Sequence, residues 1–473
     1  MKIRYGLVLA AALGLGLTGC ASGGGGGGSS AAAMAGLTGA EGQPPRETDL
    51  TEQASEFLDA AAEAGAPSEA TALYRNALTA AEAAVAEGPN NPLAHRLAAL
   101  ASLGLEDYVA AGAHFDRASE LYPLYEFEDA QLREQTWIEL YNEAMPLIGQ
   151  TEYEAAVEIF EDANAIYQGR PEAFITAGQL YAQLRQHDQA LASLDRAMEI
   201  IEGEAAEQVD EETRAAWQEQ AAEIPLLRAQ VLSDAGRFEE AAAVFERMIA
   251  EDPSNVEAAR NLAATQLQMG NEAAAFETYE ALLANPELGP IDLYQIGIGF
   301  YQGSDYGRAA QAFGQAAGMN PMDRDGLEMW ARSLQLDSAY AEVPPVAERW
   351  VDLDPNSQNA LLIMAQAVNQ IGDSQRAGEL VQRVDGLQVT VDELQMLRYG
   401  NGGARVSGSV ANKTLDSGTP VTLTFTFYSM TGAPMGTVSE TVSVGGEGMA
   451  EVFQVEFDST EQVGGYGYEL SAG

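Results

Sequence analysis

The chain has 473 residues, which allows two or three domains, and 46% of them are hydrophobic, enough for a buried core and too many for an extended disordered chain. Acidic residues outnumber basic ones 71 to 24. Phosphate contacts and electrostatic adhesion to anionic lipid both need clustered Lys and Arg, so nucleic-acid binding and charge-driven membrane binding are set aside.

The first residues read as a targeting segment. Lys2 and Arg4 make a charged start, and residues 5–17 form an apolar run too short to span a bilayer as a helix. Leu17-Thr18-Gly19-Cys20 follows. That run resembles the lipobox of bacterial lipoproteins. The resemblance implies a signal peptide over residues 1–19, cleavage before Cys20 and lipidation of Cys20. In that family Asp after the cysteine retains the protein in the inner membrane, so Ala21 implies an exported protein on the outer membrane, facing the periplasm or the cell surface. Cys20 is the only cysteine, which excludes an intrachain disulfide or a thiolate metal cluster. Later in the chain no run of about 18 apolar residues occurs, so lipid is the expected membrane attachment. Loss of Lys2 and Arg4 leaves an acidic excess of 49, and Lys413 as the remaining lysine. This acidity reads as solubility or adaptation to salt, or as a face that steers a basic partner.

Residues 20–48 read as a Gly/Ala/Ser-rich tether, with unbroken glycine over residues 23–28. Residues 49–399 are helical in pattern, with apolar residues at three- and four-residue spacing. Asp49 with Glu52, and Ser254 with Glu257, stand at capping-box spacing, and Asn91-Pro92 places a cap before a first-turn proline. The period is 34 residues: Ala229, Ala263, Gly297, Ala331 and Ala365 form one column, and Ala241, Ala275, Ala309, Val343 and Ala377 a second. A turn column reads Gly236, Gly270, Ser304, Ser338 and Gly372; a bulky column reads Phe245, Tyr279, Phe313, Ala347 and Val381. Prolines 253, 286, 321 and 355 close units. Each unit is expected to be two antiparallel helices that approach through small residues, with the aromatic filling the space between hairpins.

These columns resemble the tetratricopeptide repeat. Earlier units match with insertions: Gly178, Tyr181, Ala190, Leu194 and Ala197; Ala144, Tyr153, Ala156, Phe160 and Ala163; Ala99, Tyr108, Ala111, Phe115, Ala118 and Pro123. The expected fold is therefore mainly α, a solenoid of about nine helical hairpins, followed by a small antiparallel β-sandwich. The extra stretches at residues 122–137 and 203–217 are longer helices or connecting loops. Residues 390–399, with Thr390 and Glu393 in capping-box register, read as a final capping helix.

Period-two alternation takes over at residues 404–473. Val406, Gly408 and Val410 alternate with polar residues, as do Val421, Leu423, Phe425 and Phe427; Val452, Val455 and Phe457, and then Tyr466, Tyr468 and Leu470, mark further strands. Phe425-Thr426-Phe427-Tyr428-Ser429 resembles the motif of the FxLYD type of small β domain, with Phe for leucine and Ser for aspartate. That family carries no established chemistry.

No catalytic constellation stands out. His95, His114 and His187 lack partners at ligand spacing and read as packing or surface residues. There is no P-loop and no nucleophile elbow. In Asp323-Arg324-Asp325-Gly326, Pro321 replaces the first ligand of a calcium loop. The expectation is a protein with no enzymatic activity, catalytic residue, metal, cofactor or small-molecule substrate. In the tetratricopeptide family the first helix of each hairpin lines a groove that holds protein segments. Carried over by register, the groove positions are Gln179, Gln183, Gln230, Asp234, Arg260, Gln268, Tyr294, Tyr301, Gln302, Arg332, Gln366, Asn369 and Gln370. The family's basic clamp for a terminal carboxylate is incomplete, since Arg260 and Asn261 are followed by Ile291 and Tyr294 in the next unit. The expected role is a membrane-anchored scaffold for other envelope proteins or peptides. Two alternatives stand beside it: an enzyme or activator of cell-wall synthesis, and a peptidoglycan- or carbohydrate-binding protein that uses Tyr428, Tyr466 and Tyr468 of the β domain.

Overall fold

The computed structural model describes residues 42–400 and 402–473, which fall into two compact units, 42–248 and 249–473. The expected signal peptide, Cys20 and most of the tether lie outside the described residues. Nineteen helices are described, and no described helix is long and apolar enough to cross a membrane. Apart from one four-residue helix they form nine helix–turn–helix pairs in chain order.

The first unit opens with residues 43–48 extended and tied down. Gln43 N–H donates to the Leu121 carbonyl at 2.8 Å, and the Asn91 side chain exchanges two hydrogen bonds with the Arg46 backbone at 3.1 and 2.8 Å. The tether therefore ends sooner than the composition suggested. Its helices are α1 (Asp49–Glu63), α2 (Pro67–Glu87), α3 (Pro92–Leu103), α4 (Tyr108–Leu121), α5 (Leu124–Gly149), α6 (Tyr153–Ile166), α7 (Glu172–Gln183), α8 (His187–Glu202), the short α9 (Ala205–Gln208), α10 (Glu211–Asp234) and α11 (Phe238–Glu251). The Asn91-Pro92 signal holds: Asn91 caps α3 by accepting from Leu93 N–H. The other two capping signals are each one residue off. Thr48 caps α1 and closes a box with Thr51, and Asn255 rather than Ser254 caps the helix that follows.

Both insertions are helix. The first makes α5, at 26 residues, about twice the length of its partner α6. Its added turns are held by ions and rings: Arg96 of α3 bonds Asp129 at 2.7 Å and lies 4.5 Å from the Tyr125 ring centre. The second insertion forms α9 and the first turns of α10. There Trp217 is buried with Leu194, Ile200, Ile201 and Ile224, and its indole N–H donates to Glu172 at 3.2 Å.

The second unit contains α12 (Val256–Gln268), α13 (Glu272–Leu283), α14 (Pro290–Gln302), α15 (Tyr306–Met319), α16 (Arg324–Leu336), α17 (Val343–Leu353), α18 (Gln358–Gln370) and α19 (Ser374–Asp385). The turn column has a stereochemical cause. Gly236, Gly270, Ser304, Ser338 and Gly372 all take positive φ, between 63° and 93°, and Glu106, Thr151 and Arg185 do so in the earlier hairpins. In these eight hairpins a left-handed residue ends the first helix and turns the chain back, whereas α1 ends at Ala64, with φ −61°. The small columns are buried, and Phe245, Tyr279 and Phe313 of the bulky column are buried with them, whereas Val381 of that column is exposed. A Cβ on Gly297 would stand 2.7 Å from the Phe313 ring, so glycine there admits the aromatic. Where the bulky column reads Ala347, Trp350 fills the space one turn on and is fully buried.

Six strands complete this unit: β1 (Val389–Arg398), β2 (Ala404–Asn412), β3 (Pro420–Ser429), β4 (Pro434–Ser443), β5 (Ala450–Phe457) and β6 (Val463–Ala472). They pair antiparallel as two three-stranded sheets, β1-β2-β5 and β4-β3-β6. Phe425, Phe427, Tyr466 and Tyr468 meet Val406, Val410, Phe453 and Val455 in one core, which makes a sandwich. The expected capping helix is instead β1. A bulge between Asp392 and Gln395, with Glu393 at φ 55°, moves the inward residues from Val389 and Val391 to Leu394 and Met396. The shifted alternation puts apolar residues three apart, as a helix would. Thr390 bonds Asp392 at 2.6 Å rather than capping anything. Val452 points outward, 84% exposed, and Phe453 takes the inward place expected of it.

The sandwich rests on loops between successive hairpins. Asn320 donates to the Gly464 carbonyl at 2.8 Å, and Tyr468 donates to Asp354 Oδ1 at 2.7 Å. Asp354 Oδ2 accepts from Arg324 at 2.9 and 3.1 Å, and the guanidinium lies 5.4 Å from the Trp350 ring centre. Strand β6 comes this close because it is glycine-rich: a Cβ on Gly465 would fall 1.8 Å from the Met322 carbonyl oxygen. Lys413 Nζ donates to the Val384 carbonyl at 2.9 Å and so satisfies the end of α19.

Gly270→Ala forces a β-carbon into the left-handed region and lowers stability by about 1 kcal/mol, read as a shift of the urea midpoint. Asp354→Ala removes two bonds from a buried guanidinium and leaves the Tyr468 hydroxyl, which still accepts from Asn356 N–H, without an acceptor for its own proton, costing about 3 kcal/mol, whereas Tyr468→Phe costs about 1 kcal/mol.

Candidate protein-binding surface

The first helices of the hairpins stand beside one another within each unit. In the first unit α7 neighbours α10, and Gln179, Gln183, Gln230 and Asp234 stand on them. Gln183 and Asp234 are exposed, and Gln179 and Gln230 are half-exposed. None of the four makes a side-chain hydrogen bond to another described residue, so their amides and carboxylate are open to a ligand. Asn261 of the incomplete clamp is half-exposed on α12, and its Nδ2 has no partner among the described residues.

In the second unit α12 neighbours α14, and α16 neighbours α18. Arg260 of α12 sits 3.8 Å from Glu257 and 4.0 Å from Asp292 of α14. Arg332 of α16 bonds Glu328 at 2.7 Å. Both arginines expected as groove cations are thus balanced by carboxylates. Gln366 of α18 accepts from Gln335 of α16 at 2.6 Å, which links two first helices, and Asn369 accepts from Ser374 at 3.1 Å. Gln268, Gln302 and Gln370 are exposed at the helix ends. Tyr301 packs edge-on against Tyr306 of its own hairpin.

Tyr294 belongs more to the hairpin than to the groove. Its ring meets Phe313 edge-on at 5.4 Å. Burial holds its phenol well above the ordinary range, and the charges of Asp325, Asp323 and Glu328 add to that. Sequence spacing did not single out Asp292, Glu328 or Gln335, which complete this polar face. Nor did it single out Leu362, which is exposed on α18. Register identifies a helix face but not which neighbouring carboxylate a long arginine will reach. Of the three tyrosines considered for sugar stacking, Tyr466 and Tyr468 are buried, and Tyr428 packs against the core of the last hairpins.

This geometry defines a class, a helical-hairpin solenoid with a polar face of adjacent first helices. Family models of the tetratricopeptide repeat match three stretches of the chain, residues 70–126, 171–203 and 232–286. No curated protein matches the chain. Among solved structures, the chain is similar to the C-terminal part of a TPR repeat-containing protein from Cytophaga hutchinsonii, at 16% identity and TM-score 0.40, over 52% of this chain and 93% of that one. It is also similar to a tetratricopeptide repeat protein from Parabacteroides merdae, at 18% identity and TM-score 0.30, over 60% and 99%. A third is PilF from Pseudomonas aeruginosa, at 16% identity and TM-score 0.34, over 50% and 99%.

Asp323, between Tyr294 and the sandwich, gives a pH dependence with a definite sign. Burial raises its carboxyl to about 6, Asp325 adds to the rise, and Arg398 at 4.0 Å offsets part of it. The folded state then holds a proton that the unfolded chain gives up near 3.8, so this group's contribution to stability falls as pH rises from about 4 through 6. Asp323→Asn is therefore expected to melt higher than the wild type at pH 7.5, with the gap narrowing between pH 6 and 4.5. A gap that stays constant across that range would contradict this assignment.

Proposed function

We propose that this chain is a non-enzymatic protein-binding scaffold of the bacterial cell envelope, anchored by lipid on Cys20 and recognising segments of partner proteins along the first helices of its hairpins. The observation that supports it best is the row of tetratricopeptide hairpins whose first helices present open polar side chains, such as Gln183, Gln230 and Asp234. Tetratricopeptide proteins are in general scaffolds for protein–protein contact. The Leu-Thr-Gly-Cys run supports the anchor, and Ala21 favours the outer membrane. The excess of carboxylates, with Arg260 and Arg332 already paired, favours a polar or basic partner segment over an acidic one. The sandwich, proposed as an FxLYD-like domain, serves as the end-piece of the array; the burial of Tyr466 and Tyr468 weighs against a sugar-stacking role.

Two measurements test this. Labelled palmitate should enter the wild-type protein and fail to enter Cys20→Ser; equal labelling of both would remove the anchor. In crosslinked membranes the wild type should capture defined envelope proteins. A Gln183→Arg/Gln230→Arg double variant with an unchanged melting profile should lose them, and retention of every partner would remove the groove as the binding face.

A further inference from the structure

His95 of α3 and His114 of α4 meet through their Nδ1 atoms, 3.1 Å apart, with ring centres 5.4 Å apart and planes at 41°. His95 is buried and His114 is half-buried. The second nitrogen of His95, Nε2, lies 3.0 Å from the Pro89 carbonyl oxygen. A carbonyl only accepts, so Nε2 carries the hydrogen, and the neutral ring presents its Nδ1 lone pair to His114. Metal-ligating imidazoles are commonly held this way, with one nitrogen donating to a backbone carbonyl and the other left as the ligand.

We propose that His95 and His114 form a binding site for a borderline divalent transition-metal ion, ligated by the two Nδ1 atoms. With metal–nitrogen bonds of about 2.05 Å, a 3.1 Å separation subtends roughly 100° at the metal, suited to two adjacent positions of a tetrahedral or square arrangement. For both lone pairs to meet at the ion, each ring turns by about 40° away from the line that joins the two nitrogens. The hydrogen on His114 Nδ1 moves to Nε2 of the same ring, so the ion replaces a hydrogen bond without net release of a proton. Imidazole pairs select copper, nickel or zinc over calcium and magnesium, with Cu²⁺ held most tightly. The negative charges of Glu82 and Asp107 act on His114 and favour a cation there. Among the described residues no group of three His, Cys, Asp or Glu could hold a metal, so water or an incoming group takes the remaining positions and the ion is exchangeable.

The test titrates the full chain with Cu²⁺ in excess Mg²⁺, which occupies the exposed carboxylates. One equivalent should bind ahead of the weak background, and that step should vanish in His95→Gln and in His114→Gln. The Cu²⁺ electron paramagnetic resonance spectrum of the wild type should carry splitting from two imidazole nitrogens, a readout that holds even if a variant folds poorly. A spectrum of oxygen ligands alone, or an early step that survives both substitutions, overturns the proposal.

Discussion

The architecture depends on how closely two helix backbones can approach. Where side chains between them are reduced to hydrogen or methyl, the helices touch, and the large residues of each hairpin become free to fill the gap to the next. Gly297 beneath Phe313 is one such place, and Gly112, where a Cβ would fall 1.9 Å from the Ala165 carbonyl oxygen, is another. The left-handed turn residue enforces the approach by returning the chain at a fixed point. Ser304 and Ser338 bear a β-carbon there and Arg185 a long side chain, so the geometry is imposed by the packing of the pair as well as by glycine.

What could be read in advance follows from this constraint. A residue that must be small, or must adopt positive φ, leaves a mark in each copy, and the 34-residue columns are that mark. β3 was equally legible, because Val421, Leu423, Phe425 and Phe427 all face one core. β4 was not: of its ten residues only Val442 is fully buried, and its threonines and serines face solvent. β1 was disguised by its bulge. Groove positions were legible as a face, whereas the partners of Arg260 and Arg332 depend on the stagger between helices, which no column records. The contact between His95 and His114 was hidden for the same reason: they stand 19 residues apart on two helices whose rotation sets the ring positions.

Electrostatics follow a similar division. The chain is overwhelmingly acidic, and most of its described arginines are held in ion pairs or over rings. Arg170 bonds Glu134 and Glu172 and covers Trp137; Arg308 bonds Glu280 and Asp305. Such pairs add little stability where exposed. Their wider effect is to leave the outer field to the unpaired carboxylates, and salt is then the natural means of easing that self-repulsion.

Solenoids of this kind bend because each repeat touches little beyond its neighbours. The loops at Asn320–Asp323 and Leu353–Asn356 lie one repeat apart, and β6 is fastened to both. The sandwich thus works as a splint: opening or twisting those two hairpins against each other would have to tear strand from loop. Elastic compliance is therefore withdrawn from the carboxyl-terminal hairpins, and whatever flexing accompanies engagement of a partner falls to repeats without such a brace.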